Sequence, residues 1–382
     1  MSHKEELQRW TEEILCNLTT LSRSQALLVA TWSMGMSLIQ SCSTSRLAAF
    51  WATLLGKSDN TMRQYLREFY QEASKKRGEK RKEIDVTLCF EGLLNWVVGH
   101  WHENRLALAL DPTTLGDRFV VLVVSVLWGR CAIPVAWRVL PANKPGAWKD
   151  EWLKLFELLA PAIPKNMQVI VCADRGLYAR WLFEAVVEIG WHPFFRVNKQ
   201  GTFRCEGEQH SRPLHSFCKV GQGWCGKGTA FKGASSRLAC TVLTYWHPRC
   251  KDPWIVVTDL EAEKAEISWY RLRSWIEQGF KVVKSGGLNW QKTHLSDPSR
   301  ADRVWLAMSI SLLKMLSLGV TEEEEGVWNP VSVFRRGFVR FFACLLNGER
   351  VPPGEFRLES WEEVPVPTWA NTLKSQGDAL KL

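Results

Sequence analysis

The feature that most constrains the fold is the order of strand-like and helix-like segments between residues 105 and 197. Three apolar stretches come first, and turns at Gly116 and Gly129 separate them. After them the apolar spacing predicts a helix, a strand, a second helix and a further strand. The segments are, in chain order, Leu106–Leu110, Phe119–Leu127, Ala132–Val139, Trp148–Leu159, Gln168–Ala173, Leu177–Ile189 and Pro193–Val197. The sequence therefore predicts a mixed α/β fold class.

Three antiparallel strands followed by alternating helices and strands is the order of an RNase H-like α/β layer. We expect a β-rich insertion to interrupt this core, because seven glycines fall between positions 201 and 233 and long helical periodicity is absent there. The predicted divisions are a helical N-terminal domain at 1–84, the RNase H-like core at 85–198 and 259–320, the insertion at 199–258, and a C-terminal helical segment and tail at 321–382.

The chain carries a formal charge of +9, from 49 Lys and Arg against 40 Asp and Glu in 382 residues. With 46% hydrophobic residues, this composition excludes a mostly disordered chain. Most of the positive excess falls in residues 196–251, which hold ten Lys and Arg against two Glu. A basic excess of this kind favours a polyanionic partner.

The sequence predicts a soluble protein of the cytoplasm with no membrane segment. Its longest apolar runs are shorter than the roughly 20 residues that cross a bilayer. The first ten residues lack the apolar stretch of a signal peptide. The 11 Cys show no CxxC spacing, and free thiols in a reducing compartment are the simplest interpretation.

Helical segments with tight breaks make up the first 84 residues. A Ser/Thr cluster at 41–45 restarts a helix, Gly56 ends it, and Asp59 is expected to cap the next one. This pattern fits a helix-turn-helix bundle, and residues 1–84 are therefore predicted to be a DNA-binding domain. The pattern also fits any small helical domain. The basic run Lys75–Lys82 that follows is either a solvated linker or a contact to a nucleic-acid backbone.

Two predicted strands end in an aspartate, Asp111 and Asp174. Strand ends in an α/β layer expose side chains into a crevice, so two such aspartates in one sheet could hold a metal ion. The alternative is that each is a turn or cap residue.

A polar stripe is predicted on the segment from Tyr270 to Lys284. At about 100° per residue, Arg273, Glu277 and Lys284 fall with Tyr270 on one helix face about 60° wide, and Lys281 lies beside them. Such a face suits an anionic partner. The alternative is pairing within the helix, because Glu277 is four residues from both Arg273 and Lys281.

The spacing Tyr270-x2-Arg273-x3-Glu277-x6-Lys284 resembles the Tyr-Arg-Glu-Lys signature of DDE transposases from bacterial insertion sequences, family four and its relatives. Around it, IEQGFKVVKSGGLNWQKTHLSDPSRADRVWLA is similar to the region of that family's catalytic glutamate. LALALDPTT and VCADRG resemble the contexts of its two catalytic aspartates. The resemblance covers roughly residues 85–320.

The resemblance implies that Asp111, Asp174 and Glu277 are catalytic and bind two Mg²⁺ ions, for which Mn²⁺ can substitute. Three carboxylates can hold two such ions about 4 Å apart, as phosphoryl transfer on DNA requires. It also implies DNA contacts by a set of basic and aromatic residues. These residues are Tyr270, Arg273, Lys281, Lys284, Arg175 and Trp246. Trp246 is the preferred candidate for stacking on a flipped base, and Trp224 and Trp254 are the other two candidates.

The function implied is metal-dependent cleavage at insertion-sequence ends and strand transfer to target DNA by a cut-and-paste transposase. Whether the ends pass through a hairpin is left open. The partners implied are the terminal inverted repeats, the target DNA and a second copy of the chain in a homodimeric synaptic complex, with nucleoid association in a bacterial cytoplasm. The alternatives are a metal-dependent nuclease on the same core without strand transfer, and a non-catalytic DNA-binding regulator.

Overall fold

The computed structural model describes residues 3–76, 82–99, 101, 104–143, 146, 148–320, 331–356 and 361. Ten α-helices and ten β-strands lie in these residues, so the fold is mixed α/β as predicted. The helices are α1 (His3–Asn17), α2 (Arg23–Ile39), α3 (Thr44–Leu55), α4 (Asp59–Tyr70), α5 (Phe90–Val98), α6 (Lys149–Leu159), α7 (Arg180–Glu188), α8 (Trp275–Lys281), α9 (Pro298–Gly319) and α10 (Val333–Leu346). The strands are β1 (Arg105–Leu115), β2 (Phe119–Trp128), β3 (Cys131–Pro141), β4 (Gln168–Ala173), β5 (His192–Arg196), β6 (Thr202–Cys205), β7 (Arg212–Pro213), β8 (Gly223–Ala230), β9 (Leu238–Tyr245) and β10 (Trp254–Thr258).

The chain divides into two compact units. The first unit comprises Met1–Glu103, Pro112–Lys165 and Ile276–Leu358. The second unit comprises Asn104–Asp111, Asn166–Trp275 and Glu359–Leu382. The boundaries predicted for four separate divisions of the chain stay predictions.

The first unit is built around α9, in which every residue from Ala301 to Gly319 is buried. Helix α2 packs against it, and the buried hydroxyls of Ser37 and Ser311 hydrogen-bond at 2.7 Å. On another side α10 approaches closely, because a Cβ on Gly337 would lie 1.7 Å from the Met315 carbonyl oxygen. Only glycine permits this approach.

Tryptophan supplies much of the buried volume of the first unit. Indole N–H groups also hydrogen-bond to backbone oxygens there. Trp32 Nε1 donates to Leu66 O at 3.1 Å, and Trp51 Nε1 donates to Thr31 O at 3.0 Å. These bonds fix α2, α3 and α4 relative to one another while the rings fill the space between them. The fully buried Trp residues are Trp10, Trp32, Trp51, Trp128, Trp137, Trp152, Trp290 and Trp305.

The predicted helices near the N-terminus are present, with one correction to a cap. Helix α3 ends at Gly56, which has a left-handed backbone at φ 62°. Helix α4 is capped by Ser58, whose side chain accepts a hydrogen bond from the N–H of Thr61. Asp59 is therefore not the cap but the first residue of the helix, where its negative charge suits the helix dipole.

In the first unit, β2 and β3 form an antiparallel pair as predicted. The strands of the second unit follow the order β1-β4-β5-β10-β9-β8-β6-β7. Strands β1, β4 and β5 are parallel, and the remaining pairings are antiparallel. The glycine-rich segment is therefore β-rich, and its strands continue the sheet that β1, β4 and β5 begin.

Part of the basic run, residues 77–81, lies outside the described residues, as do residues 321–330 and most of the tail beyond 356. In the parts of the chain that are described, no helix combines the length and the apolar character that crossing a membrane requires.

A buried carboxyl, Asp302, joins α9 to β3 in the first unit. Its Oδ1 accepts a hydrogen bond from the N–H of Val139 at 2.9 Å, and its backbone oxygen accepts one from Trp137 Nε1 at 3.1 Å. Burial raises the pKa of this carboxyl from 3.8 to about 7.

The Asp302→Asn variant is expected to flatten the pH dependence of stability. Because the folded-state pKa lies above the unfolded value, the folded chain binds more protons between about pH 4 and pH 7. Stability from this group is therefore lost as the pH rises through that window, by at most about 1.4 kcal/mol per pH unit. Urea unfolding across the window measures the slope. The exposed Asp117→Asn is the control, and an unchanged slope in Asp302→Asn would contradict the assignment.

Candidate active site

Two aspartates lie next to each other where the pairing of β1 with β4 ends. The register matches Leu110 with Ala173 as its last pair, and Asp111 and Asp174 follow directly. Residues at matching positions of parallel neighbours point to the same face of a sheet. The prediction that Asp111 ends its strand is wrong, because β1 continues to Leu115. What ends at Asp111 is the pairing with β4.

The guanidinium of Arg273 contacts both carboxylates. Its Nη2 lies 3.0 Å from Asp111 Oδ2 and 3.6 Å from Asp174 Oδ2. The side chains of Arg273 and Asp111 are only 15% and 20% exposed, whereas that of Asp174 is 39% exposed. Ion pairs shielded to this degree interact more strongly than pairs on the open surface. One cation thus compensates two carboxylates at the same point.

Tyr270 connects the segment that contains Arg273 to β4 through a hydrogen bond. Its hydroxyl donates a hydrogen bond to Ala173 O at 3.2 Å, directly before Asp174. Its ring meets Trp254 edge-on at 5.5 Å between centroids. Burial raises the pKa of the Tyr270 hydroxyl well above its usual range, so the group stays protonated and remains a donor.

Tyr270 and Arg273 lie on one side of the chain because Ile267–Ser274 is a 3₁₀ helix. With three residues per turn, positions three apart in sequence are eclipsed. Trp269 and Leu272, which are three residues apart in this helix, are both buried. Tyr270 and Arg273 form the adjacent row.

The prediction of one helical face from Tyr270 to Lys284 is wrong in its geometry. The segment passes from the 3₁₀ helix into α8 and then into a π-helix at Val282–Gly286. Each helix type turns by a different angle per residue. A helical wheel drawn with a single angle therefore does not describe the whole segment. Lys281 ends α8, and Lys284 lies in the π-helix with its Nζ 5.9 Å from the centre of the Phe280 ring.

Glu277 occupies the first turn of α8 and its side chain is exposed. Within the first unit this helix lies close to β3, because a Cβ on Gly279 would be 2.6 Å from Ala132 O. Its role as a third carboxylate stays a prediction.

The donor set of the aspartate pair suits a hard divalent cation. Among the residues that the structure describes, no group of three or more His, Cys, Asp or Glu side chains could hold a metal ion. Oxygen atoms of Asp111 and Asp174 nevertheless converge on a single cationic nitrogen. Carboxylate oxygens are the ligands that Mg²⁺ prefers. The pair therefore fits as part of a metal site and does not by itself complete one.

Three basic residues of the second unit, Arg175, Arg196 and Lys199, lie at or just beyond the ends of β4 and β5. Arg175 is exposed, and its backbone N–H donates to Asp174 Oδ1 at 2.8 Å. Beyond β5, Lys199 pairs with Asp252 at 2.7 Å, and this hydrogen bond lowers the pKa of Asp252. Arg196 donates to Pro253 O at 3.3 Å. Arg196 and Lys199 are not among the predicted site residues, although their position at or just beyond the end of β5 is a signal that the sequence contains.

The three candidate stacking residues differ in their surroundings, and all are half-buried. Trp246 donates from Nε1 to Cys250 O at 3.0 Å. Trp224 lies 4.4 Å from Phe217 between ring centroids, and Trp254 contacts Tyr270. The preference for Trp246 stays a prediction.

The solved structures that are similar to this chain include a DNA complex of a transposase. No family model matches the sequence, and no curated protein matches it. The structure, titled as a cryo-EM structure of a piggyBac transposase synaptic complex with hairpin DNA, is similar at 10% sequence identity and a TM-score of 0.38. The match covers 87% of this chain and 69% of the other. At this level of similarity the function must be argued from the residues themselves.

Arg273→Gln is expected to destabilise the protein by about 1–3 kcal/mol, because it removes the cation that faces Asp111 and Asp174. Urea unfolding at neutral pH measures this loss. In Arg273→Gln combined with Asp174→Asn, the total loss should be smaller than the sum of the two single losses, because both changes remove one interaction.

The control for this cycle is Arg350→Ala, an exposed arginine of the first unit, which should change stability by less than about 0.5 kcal/mol. Additive losses in the double variant would show that Arg273 and Asp174 do not interact energetically.

Proposed function

We propose that this protein is a DNA transposase of the DDE type, which cleaves DNA at the ends of a mobile element and joins the freed ends to target DNA. The observation that carries the proposal is the approach of Arg273 Nη2 to Asp111 Oδ2 at 3.0 Å and to Asp174 Oδ2 at 3.6 Å. Carboxylate oxygens of both predicted catalytic aspartates therefore lie within 3.6 Å of the same nitrogen atom. This contact also links them to an arginine of the Tyr-Arg-Glu-Lys signature.

In this proposal Asp111, Asp174 and Glu277 are the metal ligands. The two aspartates are supported by their convergence on one cation, and Glu277 is supported by its spacing from Arg273 in the signature. Mg²⁺ or Mn²⁺ held by these oxygens would polarise a phosphodiester and activate the attacking water or 3′-hydroxyl.

In this proposal Arg273 binds two kinds of anionic group, the aspartate pair and a DNA phosphate. Its planar fork binds phosphate in a bidentate way, and the same fork compensates Asp111 and Asp174 when no DNA is present. A DNA phosphate and the aspartate pair would therefore compete for one guanidinium. Transfer of Arg273 from carboxylate to phosphate would strengthen metal binding by the carboxylate oxygens when DNA arrives.

In this proposal Tyr270 is a positioning residue for the 3₁₀ helix that carries Arg273. Its protonated hydroxyl donates to Ala173 O and so holds the 3₁₀ helix against the end of β4. The hydroxyl oxygen still has lone pairs, but it has no second proton to give to a phosphate. Its predicted DNA contact is therefore less important to the proposal than that of Arg273.

The remaining DNA contacts are proposed from sequence and charge. Arg175 is exposed beside Asp174, and Lys281 and Lys284 follow Glu277 in the chain. Trp246 is proposed to stack on a base of the element end, where an aromatic face offsets lost base stacking. A homodimer that pairs two element ends completes the proposal and rests on the family resemblance alone.

Metal-dependent excision tests the proposal directly. A plasmid carrying the genomic DNA that flanks the reading frame is incubated with purified protein, with and without Mg²⁺. Wild type should release the element and join its 3′ ends to new DNA. Asp111→Asn, Asp174→Asn and Glu277→Gln should each reduce cleavage by at least about 100-fold, because each removes a ligand of the reacting centre.

The matched control is Glu263→Gln, an exposed glutamate of the second unit, which should cleave as wild type does. Cleavage without joining would favour the nuclease alternative. Binding of the ends without any cleavage under Mg²⁺ or Mn²⁺ would favour the non-catalytic regulator. Full activity of Glu277→Gln would remove Glu277 from the site.

A further inference from the structure

Trp361, the last residue that the structure describes, packs against the 3₁₀ helix of the candidate site. It is 4% exposed, and its ring meets that of Trp269 edge-on with centroids 5.3 Å apart. The guanidinium carbon of Arg105 lies 5.7 Å from the centre of the Trp361 ring and 5.8 Å from that of Trp269. Two indoles and one cation therefore contact one another in edge-on and cation–π arrangements that aromatic rings favour. We call these three residues the Arg105 cluster.

The Arg105 cluster joins the two elements that carry the candidate site in the second unit. Arg105 is the first residue of β1, the strand that contains Asp111. Trp269 lies in the 3₁₀ helix that contains Arg273. Trp361 is distant in sequence from both elements and belongs to the same compact unit. A residue that no site motif includes thus contacts both supports of the site.

Packing alone determines where the Trp269 indole lies. The residue is 5% exposed, and its Nε1 has no hydrogen-bond acceptor among the residues that the structure describes. Its ring contacts are the Arg105 cluster and Phe194 of β5, which lies 5.7 Å away between centroids. The neighbouring Tyr270, in contrast, is fixed by a hydrogen bond to β4. Loss of one packing partner of Trp269 therefore releases one of the two attachments of the 3₁₀ helix.

We propose that Trp361 is a positioning residue for Arg273. It holds Trp269 in place, and the 3₁₀ helix carries this constraint to Arg273, which then stays in contact with Asp111 and Asp174. Because Arg273 and a divalent cation compete for the same carboxylate oxygens, Trp361 also lowers the metal affinity of the DNA-free protein. This inference rests on the proposed function for its use in catalysis, but the contact itself is measurable without DNA or metal.

The first measurement is the energetic coupling between Arg273 and Asp174, obtained from urea unfolding of single and double variants of the full-length protein. In Trp361→Leu, which keeps an apolar side chain but loses the ring, the coupling should fall to less than about half of its wild-type size. Trp361→Phe retains a ring and should keep most of it. If Trp361→Leu does not fold, Arg105→Gln, at a half-buried position of the cluster, replaces it with the same expected result.

The matched control is Trp191→Leu. Trp191 is also 4% exposed and belongs to the second unit, so its loss should lower stability and leave the coupling between Arg273 and Asp174 unchanged.

The second measurement is the Mn²⁺ affinity of the DNA-free protein, followed by electron paramagnetic resonance. Trp361→Leu should bind Mn²⁺ at least about threefold more tightly than wild type, because a displaced Arg273 no longer competes for the carboxylates. In the Arg273→Gln background the same change should leave the Mn²⁺ affinity unchanged. A general loosening of the fold would instead weaken Mn²⁺ binding in both backgrounds.

The proposal is overturned if wild type shows no coupling between Arg273 and Asp174, or if Trp361→Leu retains all of it. It is also overturned if wild type binds Mn²⁺ and Trp361→Leu binds the ion no more tightly. A wild type that neither binds Mn²⁺ nor cuts DNA contradicts the proposed function, and the unfolding measurement alone then decides the role of Trp361. The two proposals therefore fail separately.

Discussion

The guanidinium of Arg273, in contact with both Asp111 and Asp174, is the interaction on which the candidate site depends. Two carboxylates at matching ends of parallel strands would repel each other without a cation between them. The 3₁₀ helix delivers that cation, and the bond from Tyr270 to Ala173 O sets its position at the end of β4. The same two carboxylates are the ligands on which the proposed metal site would depend.

Much of this arrangement could be predicted from sequence. The apolar runs predicted the strands, and both aspartates could be found because they follow such runs. The course of the 270–284 segment could not be predicted, because residues three apart and four apart are both near neighbours on a helix. The structure shows the three-residue period over Ile267–Ser274, and that period depends on tertiary packing. Ser58 replaced Asp59 as a cap for a similar reason, since either side chain can accept from a first-turn N–H.

The first unit shows how a chain with 21 Trp and five Tyr residues uses tryptophan to pack helices together. Its buried tryptophans fill space between helices, and several also donate to backbone oxygens, as Trp32 and Trp51 do. A ring that both packs and hydrogen-bonds fixes a helix in rotation as well as in distance. Glycines at 319 and 337 allow α9 and α10 to approach until side chains are excluded.

The central claim is that Asp111 and Asp174 form the core of a divalent metal site. Titration of Mn²⁺ into the full-length protein, followed by electron paramagnetic resonance of the free ion, tests it without DNA or catalysis. The account predicts saturable binding by wild type and at least about tenfold weaker binding by Asp111→Asn and by Asp174→Asn, since each loses a charged ligand. The Glu263→Gln control should bind as wild type does. Equal Mn²⁺ binding by wild type and both aspartate variants would contradict the account.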